Sequence, residues 1–140
     1  MFSGKAYHNI DDKGRLFIPA AYREELADGF RIGRGFSDPY LIIYPEKEWQ
    51  SLNEKMDAQG FDKTTRAIKR YINMNASPLL ETDSQGRIVV SKEHREYANL
   101  LKEVVIVGMG NTLEIWDAKV LSEQTDIQPD NLEDFLALLR

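Results

Sequence analysis

The feature that most constrains this chain is internal repetition. Shifted by 72 residues, the sequence aligns with itself without a gap: Asp11 falls on Asp83, Gly14 on Gly86, Arg15 on Arg87, Arg23 on Arg95, Glu24 on Glu96, Leu41 on Leu113, Ile43 on Ile115 and Lys47 on Lys119. Similar residues fall at the same offset, among them Leu16 with Ile88, Ile18 with Val90, Tyr22 with His94, Ile32 with Val104 and Tyr44 with Trp116. A tandem duplication makes each copy about half of a small domain, so the two halves are expected to share one plan. The expected organisation is a first repeat over 1–56, a helical linker over 57–74, a second repeat over 75–125 and a C-terminal helix over 126–140.

Within each copy an extended segment (5–10 and 79–82) runs into Asp-x-x-Gly-Arg and then a branched apolar run, Leu16-Phe17-Ile18 or Ile88-Val89-Val90. This reads as a hairpin. Asp11 and Asp83 suit a turn because a carboxylate accepts nearby amide hydrogens, and Gly14 and Gly86 supply the positive φ of a tight loop. Arg15 and Arg87 open the returning strands. A helix of about two turns is expected next, over 20–27 after Pro19 and over 92–101 after the N-cap residue Ser91. A second strand pair closes each copy, 30–34 with 41–44 and 103–107 with 113–116, around Gly-rich turns. Between the copies, Trp49, Leu52 and Met56 and then Ala67, Ile68, Tyr71 and Ile72 have helical spacing, so a helical hairpin broken at Gln59-Gly60 is expected. Its second helix carries Lys63, Arg66, Lys69 and Arg70 against Asp62 alone, as a solvated face or for an acidic partner. At the C-terminus, Leu132, Phe135, Leu136 and Leu139 form an apolar stripe on a helix begun at Pro129, which must pack on its own domain or on a neighbouring subunit because so short a helix is marginal alone.

Composition excludes several classes of function. The chain has 140 residues, 42% hydrophobic and 29% charged, and no cysteine. Disulfides, thiolate chemistry and the common zinc ligand sets are therefore out of reach, and His8 and His94, which are not equivalent in the two copies, read as ordinary surface or half-buried residues. The longest uncharged apolar run, 104–109, is too short to span a bilayer, and the first residues lack the pattern of a signal peptide, so a cytoplasmic protein without membrane contact is expected. Neither a phosphate-binding Gly-rich loop nor a nucleophile with a matched base is present, and the expectation is no enzyme, no cofactor and no metal, with a carboxylate-only metal site as the alternative left open by composition. The net charge of −5 argues at first against nucleic acid. It resides wholly in 114–140, where Glu114, Asp117, Glu123, Asp126, Asp130, Glu133 and Asp134 face only Lys119 and Arg140, so residues 1–113 are neutral and have room for a basic face.

The duplicated motif, Ile10-Asp11-Asp12-Lys13-Gly14-Arg15-Leu16 returning as Thr82-Asp83-Ser84-Gln85-Gly86-Arg87-Ile88, resembles that of the MraZ family of bacterial transcriptional regulators. The Met1-Phe2-x-Gly4 opening, Ile18-Pro19, Tyr22-Arg23, Tyr44-Pro45-x-x-x-Trp49 and Leu113-Glu114-Ile115-Trp116 extend the resemblance over about residues 1–125. It implies an α+β, mainly β fold: a tandem-duplicated swapped-hairpin β-barrel of the AbrB-like type with short flanking helices. It also implies a homo-oligomeric ring that binds double-stranded DNA at short direct repeats upstream of the division and cell-wall gene cluster, associated with the nucleoid. On this reading Arg15 and Arg87 contact DNA, Lys13 and Lys5 add phosphate contacts, Gln85 adds a polar contact at the place equivalent to Lys13, and Asp11, Gly14, Asp83 and Gly86 support the motif. From spacing alone, each Asp and Arg could equally pair with each other, and the two roles are compatible. The alternative is an antitoxin-like or adaptor protein that holds a protein partner through its acidic C-terminal segment.

Overall fold

The computed structural model describes residues 1–124 and 127–140; the expected boundary between residues 125 and 126 lies outside them. Among the described residues, seven strands and six α-helices follow in the order β1 (Lys5–Asn9), β2 (Arg15–Phe17), α1 (Ala20–Arg23), β3 (Phe30–Arg34), β4 (Leu41–Pro45), α2 (Glu46–Ala58), α3 (Lys63–Met74), β5 (Arg87–Val89), α4 (Lys92–Tyr97), β6 (Glu103–Gly108), β7 (Leu113–Asp117), α5 (Ala118–Ser122) and α6 (Pro129–Leu138). Most of these match the sequence expectation to within a residue or two. The first-copy helix is one α turn continued by a 3-10 turn over Glu24–Leu26, and the second-copy helix, expected over 92–101, ends at Tyr97 ahead of Asn99 at φ +54. Of the extended segment 79–82, only Leu80 bridges, to Phe30. Helix α5 was not foreseen.

The strands pair between copies. β1 lies antiparallel to β6, β4 to β7 and β2 to β5, giving a five-stranded sheet in the order β1-β6-β7-β4-β3 and a two-stranded ribbon of β2 and β5. The local hairpin expected across each motif therefore exists only at its turn. Asp11 N–H donates to the Arg15 carbonyl and Asp83 N–H to the Arg87 carbonyl, after which β1 leaves for the large sheet and β2 for the ribbon. The barrel is corrected as well: the five-stranded ladder is open, with β1 and β3 as its edge strands, and the ribbon packs over it without continuing it.

Two of the crossings are centred on equivalent residues. Leu16 pairs with Ile88 and Ile42 with Glu114, each 72 positions apart, so a pseudo-twofold axis passes through both pairs. The symmetry fails at β3. Its hairpin closes at Arg34 opposite Leu41, leaving a longer loop than the one closing at Gly108 opposite Leu113, so β3 is slid by two residues relative to its counterpart β6. The longer loop is closed by Gly35 N–H donating to the Tyr40 carbonyl (2.7 Å), the shorter by Met109 N–H donating to the Thr112 carbonyl (2.9 Å). A slip of two keeps every side chain on its original face, and Ile32 still points inward.

Between ribbon and sheet lies one core. Leu16, Ile18, Ile88 and Val90 from the ribbon and its continuations meet Phe30, Ile32, Leu41, Ile43, Val104, Ile106, Leu113 and Ile115, all fully buried. On the other face of β4, Ile42 and Tyr44 pack beneath Trp49 of α2, with Ile72 of α3 against them, and this burial pushes the Tyr44 hydroxyl up to about 12.

Candidate nucleic-acid interface

The two motif turns are built alike. Asp11 Oδ1 accepts from the amides of Lys13 (3.0 Å) and Arg15 (2.8 Å), and Asp83 Oδ1 accepts from those of Gln85 and Arg87 (both 2.9 Å). Gly14 and Gly86, at φ +81 and +78, complete each turn by donating to the carbonyl of the same aspartate. The other carboxylate oxygen holds the arginine: Arg15 Nε donates to Asp11 Oδ2 at 2.6 Å and Arg87 Nε to Asp83 Oδ2 at 3.1 Å. The Asp–Arg pairing left open by the spacing is thus present in both copies. Backbone donation from the arginine is the largest influence holding each carboxyl below its ordinary range, helped by the guanidinium.

The ribbon places both arginines on one face. Leu16 and Ile88 point into the core, so their neighbours Arg15, Phe17, Arg87 and Val89 all point outward. Arg15 lies opposite Val89 and Arg87 opposite Phe17, a diagonal arrangement that sets the two arginine backbones roughly 7–8 Å apart. Only Nε of each guanidinium is engaged among the described residues, so the terminal nitrogens keep their donors unused on side chains 38% and 32% exposed. The tips of the turns carry Lys13 and Gln85, both exposed. Phe17 is flanked by the His8 ring (5.2 Å) and by Arg23 (5.3 Å). Lys5 is not brought to this patch: it opens β1, about 17 Å of strand from Ile10 at ~3.4 Å per residue, near α5.

Two residues that sequence reasoning did not assign to the site lie beneath it. Arg95 Nε donates to the Val90 carbonyl (3.1 Å) and its Nη1 to the Asp12 carbonyl (3.2 Å), so an arginine of the second copy clamps the turn of the first. Arg23 occupies the equivalent place under Gly86. Identity at the 72-residue offset was the available signal, since both stand in the repeat alignment. The cations Lys13, Arg15, Arg23, Arg87 and Arg95 thereby outnumber Asp11, Asp12 and Asp83 around the ribbon, despite the acidic average of the chain. A further cross-check on the duplication comes from Tyr22 and His94. The Tyr22 hydroxyl donates to the Ser3 carbonyl and His94 Nε2 to the Asn75 carbonyl, both at 2.7 Å, so equivalent side chains of different chemistry serve equivalent carbonyls. His94 is buried in that structural role.

These features define a class: a duplicated α+β domain whose copies exchange strands and present paired Asp-x-x-Gly-Arg turns on one short ribbon. The chain belongs to the MraZ family, since the model for "MraZ protein, putative antitoxin-like" matches residues 1–71 and 75–133, two segments that meet between the copies. A protein of Halothermothrix orenii named transcriptional regulator MraZ is 39% identical over 140 residues, covering 99% of this chain and 96% of its own. Proteins of the same name from Carboxydothermus hydrogenoformans (44% over 121 residues, 86% and 83% covered) and Desulforamulus reducens (43% over 117 residues, 83% and 81% covered) are also similar. Their shared name is that of a regulator and not of an enzyme. No helix among the described residues is long and apolar enough to cross a membrane.

Proposed function

We propose that this chain is a transcriptional regulator that binds double-stranded DNA through the β2–β5 ribbon, reading short direct repeats as a ring of subunits upstream of the division and cell-wall gene cluster. The observation that carries the reading is the matched pair of arginines on the outer face of the ribbon, each held through Nε by its own aspartate. A guanidinium held this way keeps two donors in the planar geometry that matches guanine O6 and N7 or a phosphate, and its ordering cost is met before DNA arrives. Lys13 serves as a phosphate contact beside Arg15, and Gln85 as its polar counterpart beside Arg87. Lys5, remote from the ribbon, serves only DNA that runs past the edge of the sheet. Exchange of β2 and β5 between the copies is what supports the AbrB-like, swapped-hairpin relationship, and a location on the nucleoid follows from the DNA role.

Direct repeats favour a ring, because subunits arranged head-to-tail present the same face in the same sense, whereas a closed twofold dimer suits a palindrome. For a chain of net charge −5 a single head is a weak ligand, and linking several heads raises overall affinity by about 10²–10⁴ without new contact types. The test is a mobility-shift titration with DNA from upstream of the protein's own gene, at two salt concentrations. Arg15→Ala or Arg87→Ala is expected to weaken binding about 5- to 150-fold and relax sequence preference, while Lys13→Ala weakens all sequences alike and lowers the salt slope by about one. A folded Arg15→Ala, Arg87→Ala variant that binds with wild-type affinity overturns the assignment.

A further inference from the structure

We propose that helix α6 of one copy docks on the exposed face of helix α3 of a second copy, forming the contact that joins subunits head-to-tail. The two helices are complementary in both polarity and charge. Helix α6 leaves Leu132, Phe135, Leu136 and Leu139 uncovered on one stripe, between 45% and 67% exposed, so among the described residues its apolar face lies on nothing in its own chain. Helix α3 is seated on the body through Ile72, through Lys69 with Asp57 and through Asn73 with Asn53, yet its outward side exposes Ile68, Tyr71 and Met74. At 100° per residue, Lys63 and Arg70 border that outward stripe, and neither has an acidic partner among the described residues. Helix α6 carries Asp130, Glu133 and Asp134, equally unpaired among the described residues, with Arg140 following it; by the same 100° per residue Glu133 flanks the apolar stripe, and Asp130 and Asp134 stand on the other side and make the helix acidic as a whole. A basic helix and an acidic helix, each with an open apolar stripe, satisfy one another at ordinary helix-packing distance.

The duplication explains why α6 has no seat at home. Helices α2 and α5 begin 72 residues apart, so each copy ends in a helical pair. In the first copy, the thirteen residues of α2 give α3 a platform; in the second, α5 is five residues long and offers α6 none. Because α3 and α6 are different surfaces, their contact is heterologous, and repeating it generates a ring when the rotation closes. The proposal rests on the assembly part of the function proposed above, and adds which surfaces meet.

The native chain contains no cysteine, so engineered thiols report without background. Full-length Ile68→Cys and Leu136→Cys chains, distinguishable by mass, are mixed and treated with a short bismaleimide. The expected product is a mixed covalent dimer, several-fold more abundant than either homodimer. In light scattering, Phe135→Glu, Lys63→Glu with Arg70→Glu, and Glu133→Lys should each lower the assembled mass. Combining the two charge reversals should restore it. All these positions are exposed, and a retained cooperative thermal transition confirms that each variant is folded. Cross-linking confined to one chain in the Ile68→Cys, Leu136→Cys double variant, or linking Leu136→Cys to Leu101→Cys in the mixed-charge cleft beside α5 instead, overturns the proposal. A Phe135→Glu chain that keeps the wild-type mass overturns the docking and leaves the ring standing, whereas a wild-type chain that is monomeric at micromolar concentration overturns both.

Discussion

At Gly14 and Gly86 the same motif meets two different surroundings, so equivalent substitutions should differ in cost. A side chain at either position is forced into positive φ. At Gly14 an added Cβ also runs into the Val90 carbonyl, a backbone group fixed by the ribbon, whereas at Gly86 it meets Arg23 Nη1 at 2.5 Å, the end of a flexible side chain. Gly86→Ala is expected to cost about 1 kcal/mol and Gly14→Ala about 3 kcal/mol, as read by urea denaturation. Equal losses would contradict this account. The aspartates make a second test. Their carboxyls titrate below the ordinary 3.8 because the anion is bonded in the native turn, so that ordering is fully present above 3.8 and is lost as pH falls through the lower native value. The Arg15 and Arg87 amide resonances should therefore shift with midpoints under 3.8; midpoints at or above it would remove the basis for the anchored turn.

Helix termini show how the two copies diverged within one plan. Asp117 ends β7 and accepts from the amides of Lys119 and Val120 at the start of α5, and its other oxygen accepts from Leu101 N–H, each at 3.2 Å. The equivalent first-copy residue is Pro45, which caps α2 with no side-chain bond. There Trp49, packed on Tyr44 at 5.3 Å, supplies the attachment by burial. Asp117 is itself buried, so Asp117→Ala leaves three amides short of a partner and is expected to cost about 1–3 kcal/mol, with the amides of Leu101, Lys119 and Val120 exchanging faster. Unchanged stability would mean that α5 is held by packing alone.

For the whole molecule, the consequence of strand exchange is that neither copy is a folding unit. β1, β2 and β4 all find partners in the second half of the chain, and only β3–β4 and β6–β7 pair locally. A fragment of residues 1–74 should lack a cooperative transition as a monomer, and any folded form should be a dimer whose unfolding midpoint rises with concentration. A monomeric fragment with a concentration-independent transition would show that the exchange is dispensable.

Much of this protein was legible before any fold was known. The duplication, the turns closed by Asp11 and Asp83, the positive φ of the motif glycines, the N-cap at Ser91 and the break between α2 and α3 depend on residues a few positions apart, where turn and helix chemistry acts directly. The pairing Arg15–Asp11 was legible as one of two options for the same reason. Tertiary structure decided the rest. Leu16-Phe17-Ile18 carries an apolar pattern that suits any neighbouring strand, so nothing in it says that Leu16 pairs with Ile88 across the chain and not with Ile10 beside it. The slip of β3, the placing of Arg23 and Arg95 beneath the opposite turns and the uncovered stripes of α3 and α6 follow from how the two copies close around one core. Periodicity marks which side chains want to be buried, and only the packed whole determines what buries them.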